Sequence, residues 1–441
     1  MTATSIEGAS GSSPRQVDES RRQPTGRGEW SAIPNQSSLW IVLPLILSFG
    51  APIFSFSGDT ERGPLGSQIA AWHVVRVAAT LWMLAAAIHG FWREANFGSM
   101  ARAPNAWLLA FVSYAFFTCF LSDSPLLCLF YCLESLAVFL TTWRIVCQPN
   151  RDRLIMRVLF ALVVITLATA LRGVVLWSAP LSWATFRSNT GGFVAAYAVL
   201  FSLARVFERW TAGRQWLQLS AWVALLVMFQ STASILAAAV GSAVFLLTSV
   251  TRLRVFAVAS GLAVAAYGGW LYFRLLDQSG GLPDQVQLLH VSFGRTEGDA
   301  SSLSGRLPLW VAALEFTRDT DLVLGGGYGI FERNLVGNPR FVSLAHTPEG
   351  IGHVHSAFLS AFLGTGYPGL AMVIGWYVSS FLASMRRRRE LPFFVAGTCA
   401  IFANSATING LGSAMDLGVL VAMLHASLLA RASADGEGTV G

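Results

Sequence analysis

Two histidines and a serine, His353, His355 and Ser356, stand at the head of HVHSAFLSAFLGTGYPG (353–369), an apolar run punctuated by glycines. An imidazole titrates near neutral pH, so in such a place it can take up or give a proton. Neither packing nor solubility asks for one there, which singles out His355; His353 reads as a solvated or supporting neighbour. Upstream, SLSGRLPLWVAALEFTRDT (302–320) spaces Leu307, Trp310, Val311 and Leu314 at i, i+3, i+4 and i+7, one apolar face of a helix. Arg306 falls near the start of that helix, where its guanidinium and the helix dipole add up to a site for an anion. Between the two segments lies LGGGYGIFERN, in which Gly325, Gly326, Gly327 and Gly329 permit a tight backbone path. This stretch lacks the Lys and Ser/Thr of a phosphate-binding P-loop, which excludes nucleotide binding of that kind.

The elements that must position these residues are membrane helices. Hydrophobic residues make up 54% of the chain and charged ones 12%, with a mean hydropathy of +0.55, far from the soluble average. A bilayer crossing takes about 20 apolar residues. Runs of that order recur about twelve times, nine between 38 and 275 and three between 353 and 430. The expected fold is therefore an all-α integral membrane protein of about 12 transmembrane helices. Residues 1–37, rich in Ser, Gly, Arg, Gln and Pro and without an apolar core, read as a disordered cytoplasmic tail rather than a signal peptide, and 431–441 as a second cytoplasmic tail. Residues 276–352 form the one connector long enough to fold, a large external loop whose amphipathic helix rests on the membrane surface with Trp310 at headgroup level.

The formal charge of +6 comes from arginines, and most of these sit in the N-terminal tail and in every second connector between apolar runs, from Arg93 and Arg102 to the block Arg386–Arg389. That is the positive-inside pattern rather than a nucleic-acid footprint. It puts both termini in the cytoplasm and the 276–352 loop outside. The five cysteines, Cys119, Cys128, Cys132, Cys147 and Cys399, lie in or beside apolar segments without zinc-like spacing and read as small buried side chains.

The sequence resembles the O-antigen ligase and polymerase superfamily of bacterial membrane glycosyltransferases. His355, Ser356, nine residues from Ala357 to Thr365, and then Gly366-Tyr367-Pro368-Gly369 match the His motif of its ligases without a gap. SGRLPLW with LGGGYGIF is similar to a segment of that superfamily's large periplasmic loop, and FRSNTGGFVAAYAVL (186–200) is like its arginine-then-glycine opening of a middle span. The resemblance covers roughly residues 185–375. It departs at FQSTASILAAAVG (229–241), a hairpin where many relatives place a Ser-Arg pair and no arginine stands here.

The resemblance implies transfer of a glycan from an undecaprenyl-diphosphate carrier to an acceptor hydroxyl at the periplasmic face of the bacterial inner membrane, as in cell-surface polysaccharide biosynthesis. The acceptor would be a lipid A core or another glycan, and membrane lipids and other polysaccharide-assembly proteins are the further partners. No cofactor, metal or nucleic acid is expected. A lipid diphosphate needs cations that stay charged beside a bilayer, and arginine does so while holding phosphate oxygens in bidentate fashion. Arg187 and Arg306 take that role, with His353 and Ser356 beside them as substrate contacts. His355, with Arg306, is expected to be catalytic, its imidazole deprotonating or orienting the acceptor hydroxyl. A repeat-unit polymerase for O-antigen or exopolysaccharide is the alternative within this chemistry, and a polysaccharide transporter or flippase the alternative outside it. Transporters place charged groups at the midplane of their spans, whereas acids are scarce in these spans, Glu134 being the main exception.

Overall fold

The computed structural model describes residues 39–50, 71–94, 100–177, 186, 188–208, 213–229, 231–249, 306–318, 322–336, 338, 341, 354, 356–386, 392–407 and 416–437. The expected tail at 1–37 lies outside them, as does 255–275, the last of the nine apolar runs expected between 38 and 275. The described elements are helical: α1 (Leu39–Gly50), α2 (Ala71–Glu94), α3 (Asn105–Thr118) closed by a 3-10 turn (Cys119–Leu121), α4 (Pro125–Cys147), α5 (Arg151–Trp177), α6 (Asn189–Glu208), α7 (Gly213–Met228) and α8 (Thr232–Ser249). There follow α9 (Arg306–Arg318), α10 (Phe331–Val336), α11 (Ala357–Arg386), α12 (Pro392–Thr407) and α13 (Leu417–Glu437).

Five of them are long and apolar enough to cross a membrane, within Pro125–Cys147, Arg151–Leu171, Asn189–Glu208, Ala357–Arg386 and Leu417–Ala434. Shorter apolar helices accompany them at Trp40–Gly50, Val74–Gly90, Asn105–Leu121, Ala233–Ser249 and Pro392–Ala406. The all-helical expectation holds, with no strand among the described residues.

The centre of the bundle follows from apolarity around a whole circumference. In α6 every side chain from Gly191 to Ser202 is buried, more than three turns with no outward face, so the helix must be enclosed. It packs against α5, α7, α8, α12 and α13, while α4 packs against α1, α2, α3, α5 and α13. Lipid tails are as apolar as leucine, so polar side chains take part in fixing the pairings. His425 of α13 lies 3.1 Å from the Tyr197 hydroxyl of α6 through Nδ1 and 3.0 Å from the Thr398 hydroxyl of α12 through Nε2. Arg76 of α2 donates from Nε and Nη2 to both carboxylate oxygens of Glu134 in α4, each at 2.6 Å, and Ser48 of α1 donates to the same carboxylate. The main acidic exception in the spans is thus an ion pair joining α2 to α4. The guanidinium also lies 5.6 Å from the ring centroids of Phe130 and Tyr131.

One long helix is two. α11 breaks at Gly366, whose backbone is left-handed at φ 65°, ψ −162°. The expected span at 354–384 is therefore divided into an outer segment, 357–365, and an inner one, 367–386, whose length of about 30 Å matches the hydrocarbon thickness.

Candidate functional site

The break in α11 exposes backbone groups that must find partners. Pro368 has no N–H to offer the Gly364 carbonyl, and the Tyr367 N–H turns away from Leu363 to donate to the Val323 carbonyl at 3.1 Å. The two orphaned carbonyls are taken by the glycine loop: Gly326 N–H donates to Leu363 O at 3.1 Å and Gly327 N–H to Gly364 O at 3.0 Å. Such an approach needs bare backbone on both sides. A Cβ on Gly325, which sits at φ 88°, would stand 2.6 Å from the Gly364 oxygen, and one on Gly366 would meet the Val323 oxygen. The glycines of LGGGYG and of GTGYPG thus serve one joint.

The far edge of that joint rests on the bundle. Tyr328 is buried; its N–H donates to the Thr118 hydroxyl at 3.1 Å and its phenol lies 3.1 Å from the Ser135 hydroxyl. Gly327 lies against Ser122 at the end of the 3-10 turn, and the Tyr114 hydroxyl donates to Leu324 O at 3.2 Å. Loop, α3 and the broken helix are fixed together.

A small apolar core of Leu309, Ala312, Ala313, Leu322, Leu335, Phe341, Val354 and Leu363 folds α9 and α10 onto the outer segment of α11. The buried face of α9 is Leu309–Ala312–Ala313, while Val311 and Leu314, expected on the same face as Trp310, stay exposed. The indole N–H of Trp310 donates to the carbonyl of Val354 at 2.7 Å. The N–H of the same residue donates to the Glu332 carboxylate at 2.8 Å, and Glu332 is buried on α10. Val354 lies between His353 and His355, so both polar groups of that residue are gripped by side chains from the loop.

The expected site residues fall around this clamp as follows. Arg306 is the first residue of α9, one turn before Trp310, as the spacing predicts. Its side chain, His353, His355 and Arg187 lie outside the described residues. Ser356 is buried just before α11; its carbonyl accepts from Ser360 N–H at 2.9 Å and its hydroxyl faces Leu359 N–H at 3.5 Å, the place of an N-cap. Beside Arg187, Ser188 donates its N–H to Phe229 O at 3.1 Å and accepts from Gly191 N–H on its hydroxyl at 3.0 Å. Ser231 donates to the Asn189 side chain at 3.1 Å and Ser234 to the Asn189 carbonyl at 3.2 Å. The hairpin that lacks the arginine of relatives is therefore fastened by serines to the start of α6.

The glycine joint, the clamp and the serine hairpin all fall within or directly against one stretch of chain, and residues 217–374 match the family model of the O-antigen ligase domain, Wzy_C. Over that stretch the chain is similar to the O-antigen ligase domain. The resemblance read from the sequence is borne out, and the matched stretch ends eight residues beyond the Gly366 break. No curated protein matches the chain. Within the matched stretch, sequence reasoning found the histidine motif and the glycine loop but missed Glu332. Its one signal was an acid three residues after a glycine turn, which an exposed loop supplies as readily.

Proposed function

We propose that the protein transfers a glycan from an undecaprenyl-diphosphate carrier to an acceptor hydroxyl at the periplasmic face of the bacterial inner membrane, as an O-antigen ligase-like glycosyltransferase. The observation that carries the reading is the grip on Val354. It brings the helix that begins with Arg306 onto the segment that holds His353 and His355, inside the matched domain.

In this reading Arg306 and Arg187 hold the diphosphate oxygens, stabilising the negative charge that grows on the leaving carrier. His355 takes the proton of the acceptor hydroxyl as it attacks the anomeric carbon, and the carrier departs as its diphosphate. Ser356 and His353 support that geometry. Trp310 and Glu332 are positioning residues: they touch no substrate and act by fixing the peptide on either side of which the histidines stand. The reading asks for no metal or cofactor.

The test is the surface glycan of a deletion strain complemented with single variants. His355→Ala and Arg306→Ala are each expected to abolish product while protein level and membrane insertion stay normal. Product equal to that of the unaltered protein from His355→Ala overturns the role of that residue. The deletion itself separates ligase from polymerase. Long lipid-linked chains accumulate without a ligase, whereas single capped repeats remain without a polymerase.

A further inference from the structure

Three of the five cysteines converge, although their spacing in the sequence suggests no metal. Cys128 and Cys132 stand one turn apart on the same face of α4, and the 3-10 turn that closes α3 brings Cys119 to them. The sulfurs of Cys119 and Cys132 are 3.8 Å apart, and the three sulfurs all lie within 4.8 Å of one another. All three residues are buried. Small apolar side chains would satisfy the packing, whereas three mutually adjacent sulfurs have the dimensions of a coordination triangle. A cation bound at about 2.3 Å to three sulfurs in its own plane sets them about 4 Å apart.

We propose that Cys119, Cys128 and Cys132 form a three-sulfur site for a thiophilic monovalent cation, Cu(I). Structural zinc takes four ligands, and among the described residues no fourth cysteine, histidine or carboxylate joins this group. Soft sulfur donors select Cu(I), which, unlike structural zinc, is satisfied by three sulfurs in a plane. The ion enters and remains as Cu(I). Each thiol that binds as thiolate gives its proton to water, and nothing is oxidised.

The place of the site defines its effect. Tyr328 lies across it, bonded through its N–H to Thr118, next to Cys119, and through its phenol to Ser135, three residues after Cys132. A bound ion ties the α3–α4 hairpin together directly beneath the glycine joint. The site is structural, and it stands whether or not the glycosyl-transfer reading does.

The full-length protein, purified in detergent and stripped of metal, is offered Cu(I) from a chelating buffer, with Zn²⁺ in parallel. About one Cu(I) per chain is expected, with an X-ray absorption spectrum fitted by sulfur alone at about 2.3 Å. Cys128→Ser and Cys119→Ser should each weaken retention at least about tenfold, and Cys399→Ser should leave it unchanged. Retention unaffected by Cys128→Ser, or a copper shell of nitrogen and oxygen in the unaltered protein, overturns the proposal. So does preferential retention of Zn²⁺ with four ligands. The spectrum of the unaltered protein decides the matter even if the serine variants fail to fold.

Discussion

The Trp310 indole donates to the carbonyl of Val354 at 2.7 Å, across 44 positions of sequence. The tryptophan that periodicity singles out is also the tie between the loop helix and the segment around Val354. Trp310→Phe keeps the bulk of the ring and removes only the donor, leaving a carbonyl short of its partner at about 1–3 kcal/mol. Glycan transfer should fall about tenfold or more, as misplacement of reacting groups by an ångström can cost a hundredfold. Protein level should hold. Transfer at the normal rate by the purified variant would remove Trp310 from the positioning role.

Glu332 holds the other side of the same peptide, and its acceptor can be kept while its charge is removed. Glu332→Gln retains an oxygen for the Val354 N–H and should preserve most activity, whereas Glu332→Leu should lose it. Equal loss in both variants would mean that the charge, not the hydrogen bond, matters there, and full activity in both would remove Glu332 from the positioning role. Activity assays in membranes with matched protein levels separate the two outcomes.

Much of this site was legible from residue types. The nine-residue interval between Ser356 and Gly366 and the arginine at the head of an amphipathic helix both survive in the structure. The side that packs on protein was less legible: Leu309 and alanines 312 and 313 carry that packing, while Val311 and Leu314 stay exposed. A periodicity count gives small residues little weight even where close approach favours them. Arg76 was passed over because one cation in an apolar run looks tolerable, and its partner Glu134 lies 58 positions away. Contacts of that kind depend on which helices meet, which hydropathy does not state. The convergence of Cys119 with Cys128 and Cys132 was hidden for the same reason.

The glycine joint makes a stability prediction. An alanine at Gly366 would have to hold φ 65°, at about 1–2 kcal/mol, while its Cβ presses on the Val323 and Leu324 backbone. Gly366→Ala and Gly325→Ala should each lower the melting temperature in detergent by several degrees. Gly213→Ala is the control, since nothing lies within 4 Å of a Cβ placed there. A variant at Gly366 that melts with the control would show that the break is not needed.

Removing Arg76 leaves a carboxylate that is 1% exposed without its cation. Arg76→Leu should cost about 3–5 kcal/mol and sharply reduce the folded yield. Arg76→Leu with Glu134→Leu should recover most of it, because two apolar side chains leave no charge stranded. Thermal unfolding monitored by size-exclusion chromatography checks both. Equal loss in the single and double variants would assign the pair a role beyond holding α2 to α4.

The outer segment of α11 is clamped at both extremities, at Val354 by the loop and at Gly366 by the glycines. Between those anchors it behaves as a ruler. One added residue lengthens it by about 1.5 Å and swings its head by about 100° around the axis, which moves Val354 out of reach of Trp310 and Glu332. Exposed positions in that interval are free to vary so long as they stay helical, while its buried ones, Ala361 and Leu363 among them, and its length are not.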